Sequence, residues 1–448
     1  MKLIGRASVP DEARWRLYNR IATHLLPLLL AGYTIACIDR VNVSFAKLQM
    51  SVDLGLSERM YGFGAGVFFI GYCLFEIPSN MILHRVGARL WLARIMIVWG
   101  LLSALGMAVR SPSQFYALRF CLGVSEAGFY PGALLYLNGW FPRHVRGQAV
   151  AVVLLGTSLS GNLGSPLSGA IMQLLDGAGH LRGWQWLYLM EGIPASLLGF
   201  VFLAALPDRP GDAAWLAPDE KAAVAADLAA DHAVFAAAGA GRRFRDAFRN
   251  ANIWCLVLAN FGNLCTLYGI QFWMPTILQK AVHTGVLATG FIASALTLVP
   301  VAALLASNRH SDRTGERRWH AVAGYATSLA GLVLAAASGD HATLTLAGLV
   351  LANTGVAVTS GMLFSLPGSF ALGAAAAAGL ALITTLGNFA GYVSPWVIGL
   401  IKQATGSFTL AFLAMGAAAA VGAATILLTP GLRPGRESGA EGARVRRG

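Results

Sequence analysis

Two distant stretches of the chain read almost alike: HRVGARLW at residues 84–91 and DRTGERRW at residues 312–319. They share arginine, glycine, arginine and tryptophan in the same register, and a Ser-Asn pair precedes each at the same offset. Each stretch also lies between two long apolar runs. Chance recurrence of short Arg-Gly turns is the alternative, but the matched register and position favour two homologous halves of the chain.

The composition is that of a membrane protein. Of 448 residues, 56% are hydrophobic and 12% are charged, and the mean hydropathy is +0.61. Soluble domains carry about 25% charged residues. The apolar runs are about 20 residues or longer, which is the length that crosses a bilayer as a helix. They show no alternation, so a β-barrel is excluded and an all-α fold is predicted.

Twelve transmembrane helices in two six-helix bundles are predicted. The expected spans are residues 20–44, 59–83, 90–110, 114–139, 147–175, 184–206, 253–279, 285–307, 319–338, 342–365, 370–402 and 408–430. The corresponding domains are an N-terminal bundle (1–206), a cytoplasmic central link (207–250), a C-terminal bundle (251–430) and a cytoplasmic tail (431–448). Within the link, APDEKAAVAADLAADHAVF predicts a surface helix starting at Pro218.

The net charge of +12 follows the predicted topology. Lysine and arginine concentrate at the N-terminus, after spans two, four and eight, in the link and in the tail. The positive-inside rule therefore places both termini and the link in the cytoplasm. Nucleic acid is not an expected partner, because the charge is distributed over alternate loops. Arginine outnumbers lysine and alanine is abundant, which is typical of GC-rich bacterial genomes, so a bacterial inner membrane is the expected location.

Charged residues lie inside two of the apolar spans. Asp39 and Arg40 occur in CIDRVNVSF (37–45), and Arg119 and Glu126 occur in LRFCLGVSEAGFYPG (118–132). A charge at mid-bilayer costs about 2.5–3.5 kcal/mol on insertion scales. Such groups need mutual pairing or a water-filled cavity, and pairing that only holds helices together is one alternative.

The spacing of these charges suggests how they could act. Adjacent residues of a helix point about 100° apart, so Asp39 and Arg40 cannot face one partner. Arg119 and Glu126 are seven residues apart, on one stripe. We expect each carboxylate to lie near an arginine without being locked to it. Whether an anion occupies the arginine would then decide whether the carboxylate keeps a proton.

The repeated loops resemble the signature loop of the major facilitator superfamily. His84 and Asn80 depart from the usual Asp and Gly, and this departure resembles the anion:cation symporter family within that superfamily. IDRVNVSFA (38–46), LRFCLGVSEAGFYPG, YGIQFWMPTI (268–277) and GAAAAAGLALITTLGNFAGY (373–392) resemble hallmarks of the same family. That family includes bacterial proton-coupled carriers of sugar acids, tartrate, phthalate and hydroxyphenylacetate. This chain departs from it at Ser365 and Thr384-Thr385, so the resemblance does not specify which anion is carried.

The resemblance implies roles for individual residues. Asp39 and Glu126 match proton-carrying groups, Arg119 matches the partner of the glutamate, and Arg40 matches the arginine that contacts the substrate carboxylate. Further polar residues in the spans could complete a substrate site, and the alternatives for them are interfacial anchoring or bonding between helices. They are Tyr72, Tyr268, Gln271, Thr385 and Asn388.

The two repeated loops are expected to form a gate. In related carriers such residues pair across the halves while the cytoplasmic side is closed. Retention of topology by positive charge is the simpler interpretation, and both can hold. The candidate gating residues are Arg85, Gly87, Arg89, Asp312, Arg313, Gly315 and Arg317.

The function predicted is secondary active transport, with proton-coupled uptake of a small organic anion, a carboxylate, by alternating access. The alternative is an anion exchanger or exporter without net proton coupling. A third hypothesis is a transporter-like membrane sensor that binds an anion. No HExxH, P-loop or GxSxG motif supports an enzyme or an ATP-driven pump. We expect no cofactor and no metal. The expected partners are the substrate anion, protons and the lipid bilayer, and the expected state is a monomer.

Overall fold

The computed structural model describes residues 3–5, 11–239, 248–363, 366 and 373–429, and these contain helices and loops without a strand. The α-helices are α1 Glu12–Asp53, α2 Glu58–Val86, α3 Ala88–Leu105, α4 Pro112–Glu126, α5 Phe129–Asn138, α6 Arg143–Leu159, α7 Ser165–Leu174, α8 Gly183–Ala205, α9 Pro218–Gly239, α10 Ala251–Val282, α11 Val286–Ala295, α12 Leu298–Thr314, α13 Arg318–Ala337, α14 Ala342–Leu363, α15 Gly373–Asn388, α16 Ala390–Thr405 and α17 Thr409–Leu428. A π-helical segment, Ser160–Gly164, joins α6 to α7.

Ten helical segments within the described residues are long and apolar enough to cross a membrane. The other two predicted spans are interrupted, which accounts for the difference from twelve. Residues 114–139 break into α4 and α5 at Gly128, whose φ of 89° is in the left-handed region that favours glycine. Residues 370–402 break into α15 and α16 at Phe389, and residues 370–372 lie outside the described part of the chain. Ser365 lies outside it as well.

The chain forms two compact units. The first comprises Met1–Ala237, Gln271–Thr297 and Pro395–Ala404, and the second comprises Ala238–Ile270, Leu298–Ser394 and Thr405–Gly448. The core of the second unit packs residues of α10, α13, α14, α15 and α17 together. It includes Ile253, Tyr325, Met362, Ile383 and Ala419. The predicted domain boundaries at 206, 250 and 430 stay a prediction.

The helix predicted within the central link is present, and α9 begins at Pro218 as expected. It is tied to the basic end of α1 in the first unit. Glu220 pairs with Arg20 at 2.7 Å, and Asp227 accepts a hydrogen bond from Tyr18 at 2.6 Å. The acidic residues of this helix therefore partly neutralise the clustered positive charge at the start of the chain.

Glycines bring α2 and α4 into near backbone contact. A Cβ atom on Gly123 would lie 2.0 Å from the carbonyl oxygen of Phe68, and one on Gly71 would lie 2.5 Å from that of Phe120. Small residues allow this close approach of helices in membranes. The contact fixes the height and rotation of α4, and with it the positions of Arg119 and Glu126 beside α2.

Gly123→Ala is therefore expected to be strongly destabilising. The added methyl group meets backbone, which cannot move aside as a flexible side chain can, and overpacking of this kind costs about 1–3 kcal/mol or more. Gly147→Ala on α6 is the matched control, because a Cβ there has nothing within 4 Å. Thermal unfolding in detergent, followed by tryptophan fluorescence, should show a lower melting temperature for the first variant only. Equal melting temperatures would contradict the packing of α2 on α4.

Candidate functional site

Arg40 and Glu126 form an ion pair between α1 and α4. The Nη2 atom of Arg40 donates to Oε1 of Glu126. The two partners differ in access, since the Arg40 side chain is 18% exposed and the Glu126 side chain is 1% exposed. The guanidinium carbon of Arg40 also lies 5.2 Å from the centre of the Tyr72 ring and 5.6 Å from that of Phe68. An accessible cation on an aromatic wall thus faces a carboxylate that solvent does not reach.

The expected pairing of Arg119 with Glu126 is not the ion pair that the structure shows. Arg119 is fully buried, its Nη2 donates to the carbonyl oxygen of Ala65 at 3.3 Å, and its guanidinium lies 4.9 Å from the centre of the Phe68 ring. Seven residues correspond to about 10.5 Å of rise along a helix. That distance leaves Arg119 to act on Glu126 at longer range, while Arg40 reaches it from α1.

Asp39 is held by neutral donors instead of an arginine. Its Oδ2 accepts from the indole of Trp99 at 3.0 Å, and its Oδ1 accepts from Ser103 and from the Asn42 amide at 3.1 Å. The carboxyl group is 3% exposed. Asp39 and Arg40 therefore face different neighbours, as their adjacency on one helix predicts. The expectation that Asp39 has a nearby arginine is met only at longer range, by Arg119.

Sequence reasoning missed the donors of Asp39. Trp99 and Ser103 are four residues apart, so they lie on one face of α3. A tryptophan and a serine at helical spacing in an apolar span give a signal, but it is weak without knowledge of which helix they face.

Glu191 was also missed, although its signal was clear. It is a carboxylate within the apolar run LYLMEGIPASLLGF (187–200) of the predicted span 184–206. In the structure it lies on α8, is 5% exposed, and its Oε1 accepts from the hydroxyl of Ser168 at 2.9 Å.

The second unit brings two of the predicted binding residues together. The hydroxyl of Tyr268 donates to Oδ1 of Asn388 at 3.2 Å, which joins α10 to α15. Thr385 lies one turn earlier on α15 and is half-buried. Gln271 is half-buried on α10 and belongs to the first unit. A role for these four residues in substrate binding stays a prediction.

The repeated loops have the backbone that their glycines predict. Gly87 has φ of 97° and Gly315 has φ of 69°, so each loop turns through the left-handed region. Arg89 is held inside the first unit, where its backbone N–H donates to Asp208 at 2.8 Å and its Nε donates to the carbonyl oxygen of Leu203 at 2.6 Å. The other charged loop residues are exposed, as Arg89 is, and the gating role of all of them stays a prediction. They are Arg85, Asp312, Arg313 and Arg317.

A second charge cluster lies in the first unit, around Glu58. This carboxylate pairs with Lys47 at 2.8 Å and with Lys402 at 3.5 Å. The ammonium of Lys47 also lies 4.7 Å from the centre of the Trp273 ring and 5.1 Å from that of Tyr61. Among the described residues, no group of three histidine, cysteine or acidic side chains could hold a metal ion.

Charges that face one another inside apolar helices mark substrate or proton pathways through a membrane protein. Residues 29–395 match the model of the Major Facilitator Superfamily, and the chain belongs to that superfamily. The fold is accordingly an all-α membrane protein of twelve transmembrane helices in two six-helix bundles, as predicted, and the protein is a transporter and not an enzyme.

The relatives are named as transporters too. A putative metabolite transport protein of Pseudomonas putida, NicT, is 43% identical over 89% of this chain and 90% of its own length. A putative tartrate transporter of Agrobacterium vitis is 43% identical over 89% of this chain and 91% of its own length. The crystal structure of a D-xylose-proton symporter has a TM-score of 0.74 at 15% identity, covering 91% of this chain and 99% of that structure. This last likeness concerns the fold alone.

Proposed function

We propose that the protein is a proton-coupled symporter that takes up a small organic anion, a carboxylate of the size of tartrate, a sugar acid or an aromatic acid. The relatives named as tartrate transporters support a carboxylate substrate. The expected location is the inner membrane of a bacterium, with both termini in the cytoplasm.

The observation that carries this proposal is the unequal access of Arg40 and Glu126. In the structure the guanidinium and the carboxylate neutralise each other. If a proton binds Glu126, Arg40 loses its counter-ion and is left as an accessible cation. A substrate carboxylate can then take that place, and the planar guanidinium can hold it with two hydrogen bonds.

The charge balance of this exchange couples the two ligands. One proton and one carboxylate enter together, and the site is electrically neutral before and after. Binding the anion without the proton would place two carboxylates on one arginine, which like-charge repulsion in a buried site disfavours. Binding the proton without the anion would remove the negative charge that balances the partly buried Arg40 guanidinium. The loaded and the empty states are therefore the favourable ones, which is the requirement for symport.

The aromatic rings of Phe68 and Tyr72 fit this exchange. They lie against the guanidinium of Arg40 and hold it in place whichever anion it binds. Arginine stacks on aromatic faces and is weakly hydrated for a cation, so the site does not depend on water to keep Arg40 oriented. Tyr72 would also offer a hydroxyl group to the polar end of the substrate.

Asp39 is proposed as a second proton carrier, beside the ion pair. Its donors Trp99 and Ser103 lie on α3 and hold the carboxyl group against that helix without neutralising its charge. Asp39→Asn is expected to abolish proton-driven accumulation of substrate. Accumulation against the gradient by this variant would refute the assignment of Asp39.

Purified protein in liposomes tests the function as a whole. An inward proton gradient should drive accumulation of a labelled member of a panel containing tartrate, sugar acids, phthalate and aromatic acids. The alternative, an exchanger without net proton coupling, predicts uptake only when the liposomes are loaded with a counter-anion. Gradient-driven accumulation would exclude that alternative, and strict dependence on the counter-anion would refute the symport proposal.

A further inference from the structure

A buried polar cluster beyond the Arg40–Glu126 pair contains a second carboxyl group that the proposed mechanism does not use. It is Glu191 of α8, and the amide of Asn42 adjoins both this residue and Asp39. Asn42 donates to Asp39 at 3.1 Å and its side chain also interacts with Glu191, which in turn interacts with Asp39. All three residues are at most 5% exposed.

Two acceptor atoms of this cluster receive no hydrogen bond. Oδ1 of Asn42 and Oε2 of Glu191 are both buried and have no hydrogen-bond partner among the described residues. An unsatisfied polar atom in a buried site costs free energy, and the cost is larger for a charged group. A proton on Oε2 of Glu191 would turn that atom into a donor. Within the same cluster, Oδ1 of Asn42 is an acceptor that has no donor.

The charged and titratable groups around the cluster do not offer Glu191 a counter-ion. On α1 its neighbour is Asp39, and on α7 its neighbour is the hydroxyl group of Ser168. Tyr188 lies one turn earlier on the same helix, and Arg119 of α4 acts on Asp39 and Tyr188. Glu126 acts on Asp39 as a further negative group. No lysine or arginine forms an ion pair with Glu191 within the described residues.

The local backbone also singles out this position. Ser168 lies in α7, one turn beyond the π-helical segment Ser160–Gly164. Isolated π-helical turns within α-helices are frequent at functional sites, because they displace the residues that follow them. Here α7, which follows the π-helical segment, supplies a hydroxyl group that contacts Glu191.

We propose that Glu191 is a further proton-binding residue of this transporter, and that it exchanges protons as a coupled pair with Asp39 through Asn42. In the conformation described here Glu191 holds the proton, which gives Oε2 a hydrogen to donate. Loss of that proton becomes less favourable while Asp39 is ionised, because two negative charges would then share one amide. The use of this pair in transport rests on the proposed symport, but its titration does not.

Infrared difference spectroscopy on the full-length protein in detergent tests the pair directly. A protonated carboxyl group has a C=O stretching band separate from the bands of carboxylates. We expect such a band near neutral pH that is lost in Glu191→Gln and kept in Glu58→Gln, a control that removes the acid of the Lys47 cluster. Glutamine can still accept from Ser168, so the variant keeps that contact. Retention of the band in Glu191→Gln would overturn the proposal.

Two further variants should shift the titration of the same band in opposite directions. Asp39→Asn removes the neighbouring negative charge, so Glu191 should ionise at lower pH, by about one unit or more for a coupled pair. Ser168→Ala removes a donor that stabilises the ionised form, so the band should persist to higher pH. An unchanged midpoint in both variants would refute the coupling.

A transport measurement distinguishes failure of this inference from failure of the proposed function. In liposomes, the number of protons carried for each anion is expected to fall in Glu191→Gln relative to the unmodified protein. An unchanged ratio would exclude a role of Glu191 in transport. If the unmodified protein carried no protons while the infrared shifts were present, the symport proposal would fail and the titrating pair would stand.

Discussion

Arg40→Ala is expected to lower the affinity for the transported carboxylate by at least about a hundredfold. The variant removes two hydrogen bonds to a charged group, each worth about 1.5–3 kcal/mol. A factor of ten in affinity corresponds to about 1.4 kcal/mol. Arg40→Lys keeps the charge but loses the planar fork, so its affinity should fall by a smaller factor. Calorimetric titration of the purified protein with the substrate measures both.

Arg16→Ala is the matched control for this prediction. Arg16 is also an arginine of α1 in an ion pair, but its side chain is 75% exposed and its partner Glu12 lies four residues away on the same helix. Its removal should leave the affinity unchanged, since exposed pairs of this kind contribute little. An Arg40→Ala variant that binds substrate as tightly as the control would contradict the proposed site.

Glu126→Gln is expected to abolish accumulation driven by a proton gradient while leaving exchange of labelled for unlabelled substrate. Glutamine at this position resembles the protonated glutamate, so the negative charge that Glu126 places beside Arg40 is permanently absent. In the unmodified protein the anion should bind more tightly as pH falls, because a proton on Glu126 releases Arg40. In the variant this dependence should be weaker, and the affinity at alkaline pH should be higher than that of the unmodified protein.

Liposomes with and without an imposed pH gradient measure this effect. Glu12→Gln, which removes the half-exposed acid that pairs with Arg16, is the control and should accumulate substrate normally. If Glu126→Gln still concentrates substrate in response to the gradient, Glu126 does not carry the coupling proton. Loss of both accumulation and exchange in a folded variant would instead assign Glu126 a role in holding the site.

The sequence predicted the class of fold well because long apolar runs and repeated loops are local signals. The matched loops at 84–91 and 312–319 and the twelve runs need no knowledge of packing. The interruption at Gly128 is harder to foresee, because the glycine stands in an apolar run that continues on both sides. Helix breaks of this kind depend on neighbouring helices that re-satisfy the freed backbone groups.

The four charged residues of the candidate site can be singled out from the sequence, but their pairing cannot. Asp39, Arg119 and Glu126 are buried and Arg40 is partly exposed, and charges in an apolar span must find partners or water. Which carboxylate meets which arginine depends on the rotation of α1 and α4 about their axes. That rotation is set by contacts such as those of Gly123 and Gly71 with backbone, which a single sequence does not reveal. The family resemblance implied Arg119 as the partner of Glu126, and the structure shows Glu126 in an ion pair with Arg40.

Glu191 shows the complementary failure, since a local signal was present and was not used. A lone carboxylate in an apolar run is a functional candidate by the same cost argument that singled out Asp39. Its partners Ser168 and Asn42 are ordinary residues of other helices, and only the structure brings them beside it.

The central claim is that a proton moves with each anion, and proton flux tests it most directly. Unmodified protein would be placed in liposomes that contain a pH-sensitive dye, with no initial gradient, and members of the carboxylate panel would be added outside. The account predicts that a transported carboxylate acidifies the interior and that Arg40→Ala abolishes the acidification. Entry of a labelled carboxylate without any acidification would contradict it.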